Sequence, residues 1–133
     1  MIDADNFIFK AIGVPFLEHG RDYNGWDCWG LVMRAYQDVI GVKLPDFSYN
    51  DTSEYRRLIE NFSQREDRFW RKSDTRDFSV ACIYRRGRVI HAGLSVGNKI
   101  LHVERGIETC LEPASRMRIE GYYEPACLST ASI

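Results

Sequence analysis

The chain lacks the features that mark several large classes of protein. Its formal net charge is only −1, so it does not carry the basic excess typical of proteins that bind nucleic acid non-specifically. No apolar run approaches the ~20 residues that a membrane-spanning helix needs, so we expect no membrane insertion. Residues 1–10 carry acidic side chains where a secretory signal carries basic ones. We therefore expect synthesis in the cytoplasm.

The four cysteines do not form a known paired motif. Cys28, Cys82, Cys110 and Cys127 show no C-x-x-C spacing, which argues against a zinc ribbon and against a thioredoxin-type pair. In a reducing cytosol all four should be thiols. We expect three of them to serve in packing and one, Cys28, to carry chemistry.

The composition is that of an ordinary folded domain. Of the 133 residues, 44% are hydrophobic and 28% are charged. A chain of this length can bury roughly two thirds of its unfolded surface in one core. These values predict a single domain over residues 1–133.

Helical and strand patterns are separated along the chain. Apolar residues recur at helical spacing in three early segments, Asp5–Ile12, Asp27–Ile40 and Thr52–Phe62. Residues 63–77 read as a loop or a short edge strand. Strand patterns separated by turns follow at 78–84, 89–96, 99–104, about 109–111 and about 118–123. The fold class is therefore predicted as α+β, with N-terminal helices packed on an antiparallel meander of about five strands.

Cys28 stands at the predicted start of a helix. Asp27 can cap this helix by accepting a hydrogen bond from one of its free N–H groups, and Gly41 ends it. A helix start can lower the pKa of a cysteine into roughly the 3.5 to 7.5 range, which predicts a reactive thiolate. The alternative is a buried structural cysteine, since free cysteines are among the most buried residues.

Two histidines are predicted to share one face of a hairpin. If Gly97 and Asn98 form a two-residue loop, the numbers of facing residues sum to 195, so His102 faces Gly93. His91, Gly93, His102 and Glu104 then project from the same side, because side chains alternate along a strand. A register slip of one residue would separate the histidines.

A thiol with two histidines suggests nucleophilic catalysis. Such chemistry needs a base beside the thiol and a third group that fixes the tautomer of the base, roles that Cys28, His91 and His102 could fill. A zinc site made by the same three residues is the chemical alternative. That alternative is weaker, because no acid or second cysteine at ligand spacing completes it. His19, in a polar loop, is expected to have no special role.

These residues resemble the NlpC/P60 cysteine peptidases, a papain-like family of cell-wall hydrolases. The likeness runs from about residue 8 to residue 125 and is carried by four stretches: Gly13-Val14-Pro15-Phe16, Asp27-Cys28-Trp29-Gly30-Leu31-Val32, His91-Ala92-Gly93-Leu94-Ser95-Val96-Gly97 and Leu101-His102-Val103. It implies hydrolysis of an amide in peptidoglycan stem peptides, typically D-γ-glutamyl to diaminopimelate, without a metal or cofactor. Cys28 would be the nucleophile, His91 the general base and acid, and His102 the residue that orients His91.

Four residues near the cysteine are expected to contact substrate: Phe16, Arg21, Asp27 and Trp29. Phe16 stands where many members of the family have Tyr, so it can stack but not donate a hydrogen bond. Trp29 replaces a Ser and should narrow the cleft. Arg21 is the best placed of several arginines, the others being Arg85, Arg86, Arg88 and Arg105, to hold a carboxylate of an acidic stem peptide.

Further motifs are similar to those of small peptidases encoded with the tail genes of long-tailed phages. They are Leu44-Pro45-Asp46-Phe47, Leu101-His102-Val103-Glu104 and Cys110-Leu111-Glu112-Pro113. This likeness implies a protein of the phage virion that is made in the bacterial cytoplasm, acts in the cell envelope and contacts other tail-tip proteins. The alternative function is structural, namely a tail-tip assembly protein on a peptidase scaffold with little or no turnover.

Overall fold

Two helices and two very short strands precede the main sheet. The computed structural model describes residues 1–44, 46, 70–73 and 77–126, with the backbone alone for 88–90. The predicted helix Thr52–Phe62 lies outside the described residues. The early elements are α1 (Ala4–Ala11), β1 (Arg21–Asp22), β2 (Gly25–Trp26) and α2 (Cys28–Ala35), which is continued by a single π-helical turn (Tyr36–Ile40). Within the described ranges, every helix is too short or too polar to cross a lipid bilayer.

The ends of both helices follow the side chains that the sequence places there. The Asp3 carboxylate accepts a hydrogen bond from the Asn6 N–H at the start of α1, and Asp27 accepts one from the Gly30 N–H at the start of α2. Gly41 has φ of 85° just after the π-helical turn, a left-handed conformation that suits glycine. The predicted start of the cysteine helix at Asp27 and its stop at Gly41 are both confirmed.

In the described part of the chain the main sheet is antiparallel and has six strands, five near the predicted places and one at the edge, Trp70–Lys72, within the segment predicted as a loop or a short edge strand. They are β3 (Trp70–Lys72), β4 (Val80–Arg85), β5 (Arg88–Val96), β6 (Lys99–Glu104), β7 (Ile107–Pro113) and β8 (Ile119–Pro125), with a one-turn 3₁₀ helix (Ala114–Arg116) before β8. The spatial order is β3-β8-β4-β5-β6-β7. Strands β4 to β7 form the expected meander, but β8 returns to pair with β4. The α+β fold class is confirmed.

The β5–β6 hairpin has the predicted register. Val96 pairs with Lys99, Ser95 with Ile100 and Leu94 with Leu101, so each pair of numbers sums to 195. A Cβ built on Gly93 would lie 3.2 Å from the Cβ of His102 and only 2.6 Å from Cγ2 of Ile100. Glycine at position 93 therefore lets the two strands approach beside the histidines.

The core lies between the sheet and the two helices. Its buried members on α2 are Trp29, Leu31, Val32 and Ala35, and those on the facing strands include Val80, Cys82, Ala92, Leu94, Leu101 and Val103. A smaller cluster of Ala81, Ile83 and Ile100 covers the other face of the sheet. Burying each large apolar side chain contributes about 1.5–3 kcal/mol, so this packing fixes α2 against β5 and β6.

A buried polar link ties the end of the sheet to the segment before Cys28. The indole Nε1–H of Trp26 donates to Thr109 Oγ1 at 2.8 Å, and the Thr109 hydroxyl donates to the Val14 carbonyl at 2.9 Å. Both Trp26 and Thr109 are fully buried. Because an unpaired buried donor costs about 1–3 kcal/mol, this link favours one position of β2 relative to β7.

We predict that Gly30→Ala destabilises the protein, although alanine in place of glycine ordinarily stabilises a helix by about 1 kcal/mol. A Cβ at position 30 would lie 2.1 Å from the Gly20 carbonyl oxygen and 2.9 Å from Cβ of Trp26, so the loop before α2 must move. We expect a loss of about 1–3 kcal/mol in the free energy of unfolding, measured by urea denaturation.

The control is Gln37→Ala, at an exposed position on the turn that continues α2. It should change stability by less than about 0.5 kcal/mol. A Gly30→Ala protein as stable as the wild type would contradict the close approach of the 20–25 loop to α2.

Candidate active site

Cys28 is the first residue of α2, and the Asp27 carboxylate fixes its position. Asp27 is buried, and its Oδ1 accepts hydrogen bonds from the Gly30 N–H at 2.8 Å and from Arg21 Nη1 at 2.8 Å. Its Oδ2 accepts the His19 N–H at 3.0 Å. Three donors from a loop, a short strand and the helix therefore converge on one side chain. Cys28, the next residue, is half-buried as a whole.

The pKa of the Cys28 thiol is shifted in the direction opposite to the one that its place at a helix start predicts. Burial and the negative charge of Asp27 raise the pKa of the Cys28 thiol to about 12, while a backbone hydrogen bond with Ala92 and the charge of Arg21 act in the opposite direction with smaller effect. The prediction of a lowered pKa is wrong for this structure. Burial first and the neighbouring Asp27 carboxylate second oppose the effect of the helix dipole, and both favour the neutral thiol over the thiolate.

The two histidines are in direct contact, as the hairpin register predicts. Nε2 of His91 lies 3.0 Å from Nδ1 of His102, and the two rings meet edge to face with centroids 5.2 Å apart. His102 is fully buried and His91 is 5% exposed, so water cannot easily replace either partner. On the far side, Nε2 of His102 lies 3.0 Å from Oε1 of Glu112.

The contacts from His91 to His102 and from His102 to Glu112 determine which ring nitrogen of each histidine carries the proton. A carboxylate oxygen only accepts hydrogen bonds, so the proton of His102 belongs on Nε2, facing Glu112. Nδ1 of His102 then accepts, and His91 must donate from Nε2. The remaining ring nitrogen of His91, Nδ1, is left with a free lone pair. Glu112 thus acts through His102 to leave His91 in the form that can take up a proton.

Glu104 stands beside both histidines but is held by an arginine. Its Oε1 lies 3.8 Å from Nε2 of His91 and 3.7 Å from Nδ1 of His102. The Arg85 guanidinium donates to both oxygens of Glu104, at 2.7 and 2.9 Å, and lowers the pKa of this carboxyl. Burial lowers the pKa of His91 to about 3 despite the attraction of Glu104, so His91 is a neutral imidazole near pH 7.

An open cavity brings Cys28 and His91 together. Its walls come from the loop before α2, the start of α2 and the ends of β4, β5 and β6. The lining residues are Phe16, Glu18, Asp27, Cys28, Arg85, Arg86, His91, Val103, Glu104 and Arg105. A neutral imidazole and a thiol on one cavity wall can carry out acyl transfer, with the thiol as nucleophile and the imidazole as base.

The four residues predicted to contact substrate divide into two pairs. Phe16 and Asp27 line the cavity, and the guanidinium of Arg105 lies 5.0 Å from the Phe16 ring centroid. Trp29 instead has no exposed surface and packs against Trp70, so it does not narrow the cleft. Its place on the core face of α2 turns the indole away from Cys28.

Arg21 also lies outside the cavity lining. It forms ion pairs with Asp27 at 2.8 Å and with Asp46 at 3.0 Å, so its role here is to hold the helix cap. The arginines that do line the cavity are Arg85, Arg86 and Arg105. Arg85 pairs with Glu104 and Arg105 with Glu18, whereas Arg86 makes no ion pair with any residue in the described ranges.

One of the two carboxylates beside the histidines was predicted. The hairpin register placed Glu104 opposite His91 on the histidine face, and Glu104 lies there, whereas Glu112 was not expected to contact a histidine. Glu112 could have been found only by pairing β7 with β6, which sets His102 opposite Cys110 and brings Glu112 alongside. His19 donates its backbone N–H to Asp27 and so takes part in the cap. Its side-chain Nδ1 is buried and has no hydrogen-bond partner among the described residues.

The zinc site proposed as an alternative, made by Cys28, His91 and His102, does not form. In the described part of the chain, two groups of potential ligand atoms lie within 4.8 Å of one another, and neither contains Cys28. The groups are His91, His102 and Glu104, and His102, Cys110 and Glu112. No acid or second cysteine was expected to complete a site with Cys28, and neither group includes Cys28, but each group brings an acid close to the histidines and one of them also brings Cys110. Cys28, Cys82 and Cys110 are free thiols, and Cys127 lies outside the described residues.

Comparison with known proteins agrees with this geometry. A family model described as "NlpC/P60 family" matches residues 13–123. Among solved structures, the chain is similar to the crystal structure of the NlpC/p60 domain of peptidoglycan hydrolase SagA, with a TM-score of 0.61 and 15% identity over 90% of this chain and 94% of that chain. At this identity the likeness establishes the fold alone. A search of curated proteins found no match.

We predict that Cys28 reacts slowly with iodoacetamide at pH 6, and that its rate of alkylation rises with pH well into the alkaline range. A raised thiol pKa favours the neutral form below that pKa, and alkylation requires the thiolate. The measurement is mass spectrometry of the Cys28 peptide after timed labelling between pH 6 and pH 10. A rate that is already maximal at pH 6 would show a preformed thiolate and contradict this prediction.

Proposed function

Because the chain belongs to the NlpC/P60 family, whose members are cysteine peptidases and peptidoglycan hydrolases, we propose that it hydrolyses an amide bond in peptidoglycan stem peptides. The bond that we expect is the one from D-γ-glutamate to diaminopimelate. The observation that carries the proposal is the cavity that is lined both by Cys28, at a capped helix start, and by a neutral His91 whose tautomer is fixed by His102. Cys28 and His91 are the proposed catalytic residues, and His102 is the proposed positioning residue.

The first step forms an acyl-enzyme. Cys28 Sγ attacks the carbonyl carbon of the amide as His91 Nδ1 takes the thiol proton, so the resting pair need not be an ion pair. The backbone N–H of Cys28 lies in the first turn of α2, where N–H groups have no partner within the helix, and it can stabilise the oxyanion. His91 then returns its proton to the amine as the C–N bond breaks.

The second step uses the same groups in reverse. His91 takes a proton from water, the resulting hydroxide attacks the thioester carbon, and the Cys28 sulfur leaves and recovers its proton. During both attacks the imidazole carries a positive charge for a short time. Glu104 lies within 3.8 Å of His91 and stabilises that charge, while Arg85 limits how strongly it does so.

Substrate recognition can draw on a positive charge in the cavity wall. Arg86 lies at the turn between β4 and β5 with φ of 54°, and its guanidinium has no acidic partner among the described residues. Arg guanidinium groups bind carboxylates through two parallel hydrogen bonds. A stem peptide carries several carboxylates, so we propose that Arg86, in place of Arg21, contacts one of them, with the Phe16 ring as a nearby apolar surface.

We further propose that the protein is a component of a phage tail that opens the cell wall locally. This setting rests on the tail-associated motifs, including Leu44-Pro45-Asp46-Phe47 and Cys110-Leu111-Glu112-Pro113. It would place synthesis in the host cytoplasm, action in the cell envelope, and contacts with other tail-tip proteins. The structural alternative, a tail-tip assembly protein without turnover, is separated from the enzyme by the digestion experiment below.

We predict that wild-type protein cuts purified peptidoglycan fragments and that Cys28→Ala does not. The alanine variant keeps the fold, because Cys28 is half-buried and the Asp27 cap is unchanged. Products are identified by mass spectrometry, and their masses name the bond. His91→Ala should remove nearly all turnover as well, since it removes the base. Activity that survives in Cys28→Ala would end the peptidase proposal, and no product from either protein would favour the structural alternative.

We predict that Glu112→Ala lowers kcat by about tenfold or more while leaving KM nearly unchanged. Removing the acceptor of a hydrogen bond from His102 Nε2 costs about 1.5–3 kcal/mol and releases the tautomer of His91. The matched variant is Glu112→Gln, whose amide oxygen can still accept this hydrogen bond, so it should retain most of the activity. Equal losses in both variants would indicate that the charge of Glu112 matters and not its hydrogen bond.

A further inference from the structure

We propose that His102, Cys110 and Glu112 form a binding site for a zinc-like divalent metal ion, and that occupation of this site inactivates the neighbouring His91. The site lies on the opposite side of His102 from His91. It is separate from the cavity that contains Cys28, and it provides one nitrogen, one sulfur and one oxygen ligand.

The register of the sheet assembles the three ligands. His102 on β6 pairs directly with Cys110 on β7, and Ile100 pairs with Glu112. Because side chains alternate along a strand, Cys110 and Glu112 project from the same side of β7 as His102 does from β6. The backbone of two paired strands therefore holds all three ligands.

The distances between the ligand atoms are close to those of a tetrahedral site. Nε2 of His102 lies 3.0 Å from Oε1 of Glu112 and 3.9 Å from Sγ of Cys110, and Sγ lies 4.0 Å from Oε1. Zinc bond lengths of roughly 2.0–2.3 Å require ligand atoms about 3.3–3.6 Å apart. Shifts of about half an ångström in side chains would therefore complete one face of the tetrahedron.

The chemistry and the position of the site favour zinc. Zinc binds Cys, His and carboxylate ligands together, and three protein ligands leave a fourth place for water. Cys110 and Glu112 are only half-buried, and β7 lies at one end of the strand order among the described residues, so an ion can reach the two side chains from solvent. The other candidate group is less suitable, because both oxygens of its Glu104 are already bound by the positive Arg85.

The effect on His91 follows from its tautomer and rests on the proposed peptidase function. A metal on Nε2 of His102 displaces the proton from that nitrogen, so a neutral His102 must carry its proton on Nδ1. His102 then donates to Nε2 of His91, and the proton of His91 must sit on Nδ1. That nitrogen no longer has a lone pair for the Cys28 proton, so the base is blocked while Cys28 itself is untouched.

Protons balance in this exchange. Each histidine carries one ring proton before and after metal binding. His102 loses the proton of Nε2 to solvent, the proton between the two rings moves from His91 Nε2 to His102 Nδ1, and His91 gains a proton from solvent at Nδ1. Cys110 binds as a thiolate and releases its proton to solvent. Metal binding therefore releases one proton for each ion bound.

Cobalt binding tests the site independently of activity. With Co²⁺ as the probe, the Cys28→Ala protein should show a thiolate-to-cobalt absorption band in the near ultraviolet, because Cys110 is intact. The Cys28→Ala/Cys110→Ala double variant should lose the band. A band that persists in the double variant, or that is absent from Cys28→Ala, would overturn the metal site. Neither outcome depends on whether the protein cuts peptidoglycan.

Inhibition by Zn²⁺ tests the effect on catalysis in the wild-type enzyme. Cys110→Ala should keep the basal activity and require at least about tenfold more Zn²⁺ for half-inhibition, since the ion loses one ligand. The control is Asp5→Asn, which removes an exposed negative charge on α1, a different element from the strands that carry the three ligands, and should leave inhibition unchanged. Equal inhibition of wild type and Cys110→Ala would place the inhibitory metal elsewhere and overturn the proposed effect on His91.

Discussion

The Asp27 carboxylate is the constraint on which the position of Cys28, the proposed nucleophile, depends. One buried side chain accepts hydrogen bonds from the helix at Gly30, from the loop at His19 and from Arg21. Without it, the Gly30 N–H at the start of α2 would lose its partner beside the core, and the His19 N–H of the preceding loop would lose its partner as well. The same charge makes the Cys28 thiolate less stable. The position of the thiol is therefore fixed while formation of the thiolate is disfavoured, and in the proposed mechanism His91 removes the proton during attack.

The second half of the site depends on the sheet in a comparable way. His91 and His102 meet because β5 and β6 pair in one register around Gly97, and His102 meets Glu112 because β7 pairs with β6. The contact of His102 with Glu112 therefore decides which nitrogen of His102 carries its proton, and the contact of His91 with His102 decides the same for His91. A chemical property of His91, the nitrogen that carries its proton, is decided by a residue that lies two strands away.

Features governed by local sequence were predicted well. The cap at Asp27, the stop at Gly41 and the hairpin register around Gly97 each depend on residues within a few positions of one another, so the sequence pattern is sufficient. The place of β8 beside β4 was not predicted, because that pairing joins strands separated by most of the sheet sequence. The helical pattern also put Trp29 beside Cys28 without showing that its side chain enters the core.

The site was predicted in outline but not in its electrostatics. The sequence indicated Cys28, His91 and His102 as a group, and the contact between the two histidines is present. The pKa of Cys28 is raised where a lowered pKa was predicted. The argument from the helix start includes the dipole but neither the burial of the thiol nor the charge of the adjacent Asp27. The roles of Arg85 and Glu112 were not visible, since both depend on which strands pair across the sheet.

The hydrogen bonds that join Trp26 to Thr109 and Thr109 to Val14 also determine at which stage of folding the site can form. They join residues 83 and 95 positions apart, and contacts of such long range form late in folding because much of the chain must be present first. A nascent chain that still lacks β7 has Cys28 but neither this anchor nor Glu112. A chain that stops before β7 therefore has Cys28, His91 and His102 but not the carboxylate that sets the proton position on His102, so the complete arrangement of the site must wait for the strand that carries Glu112.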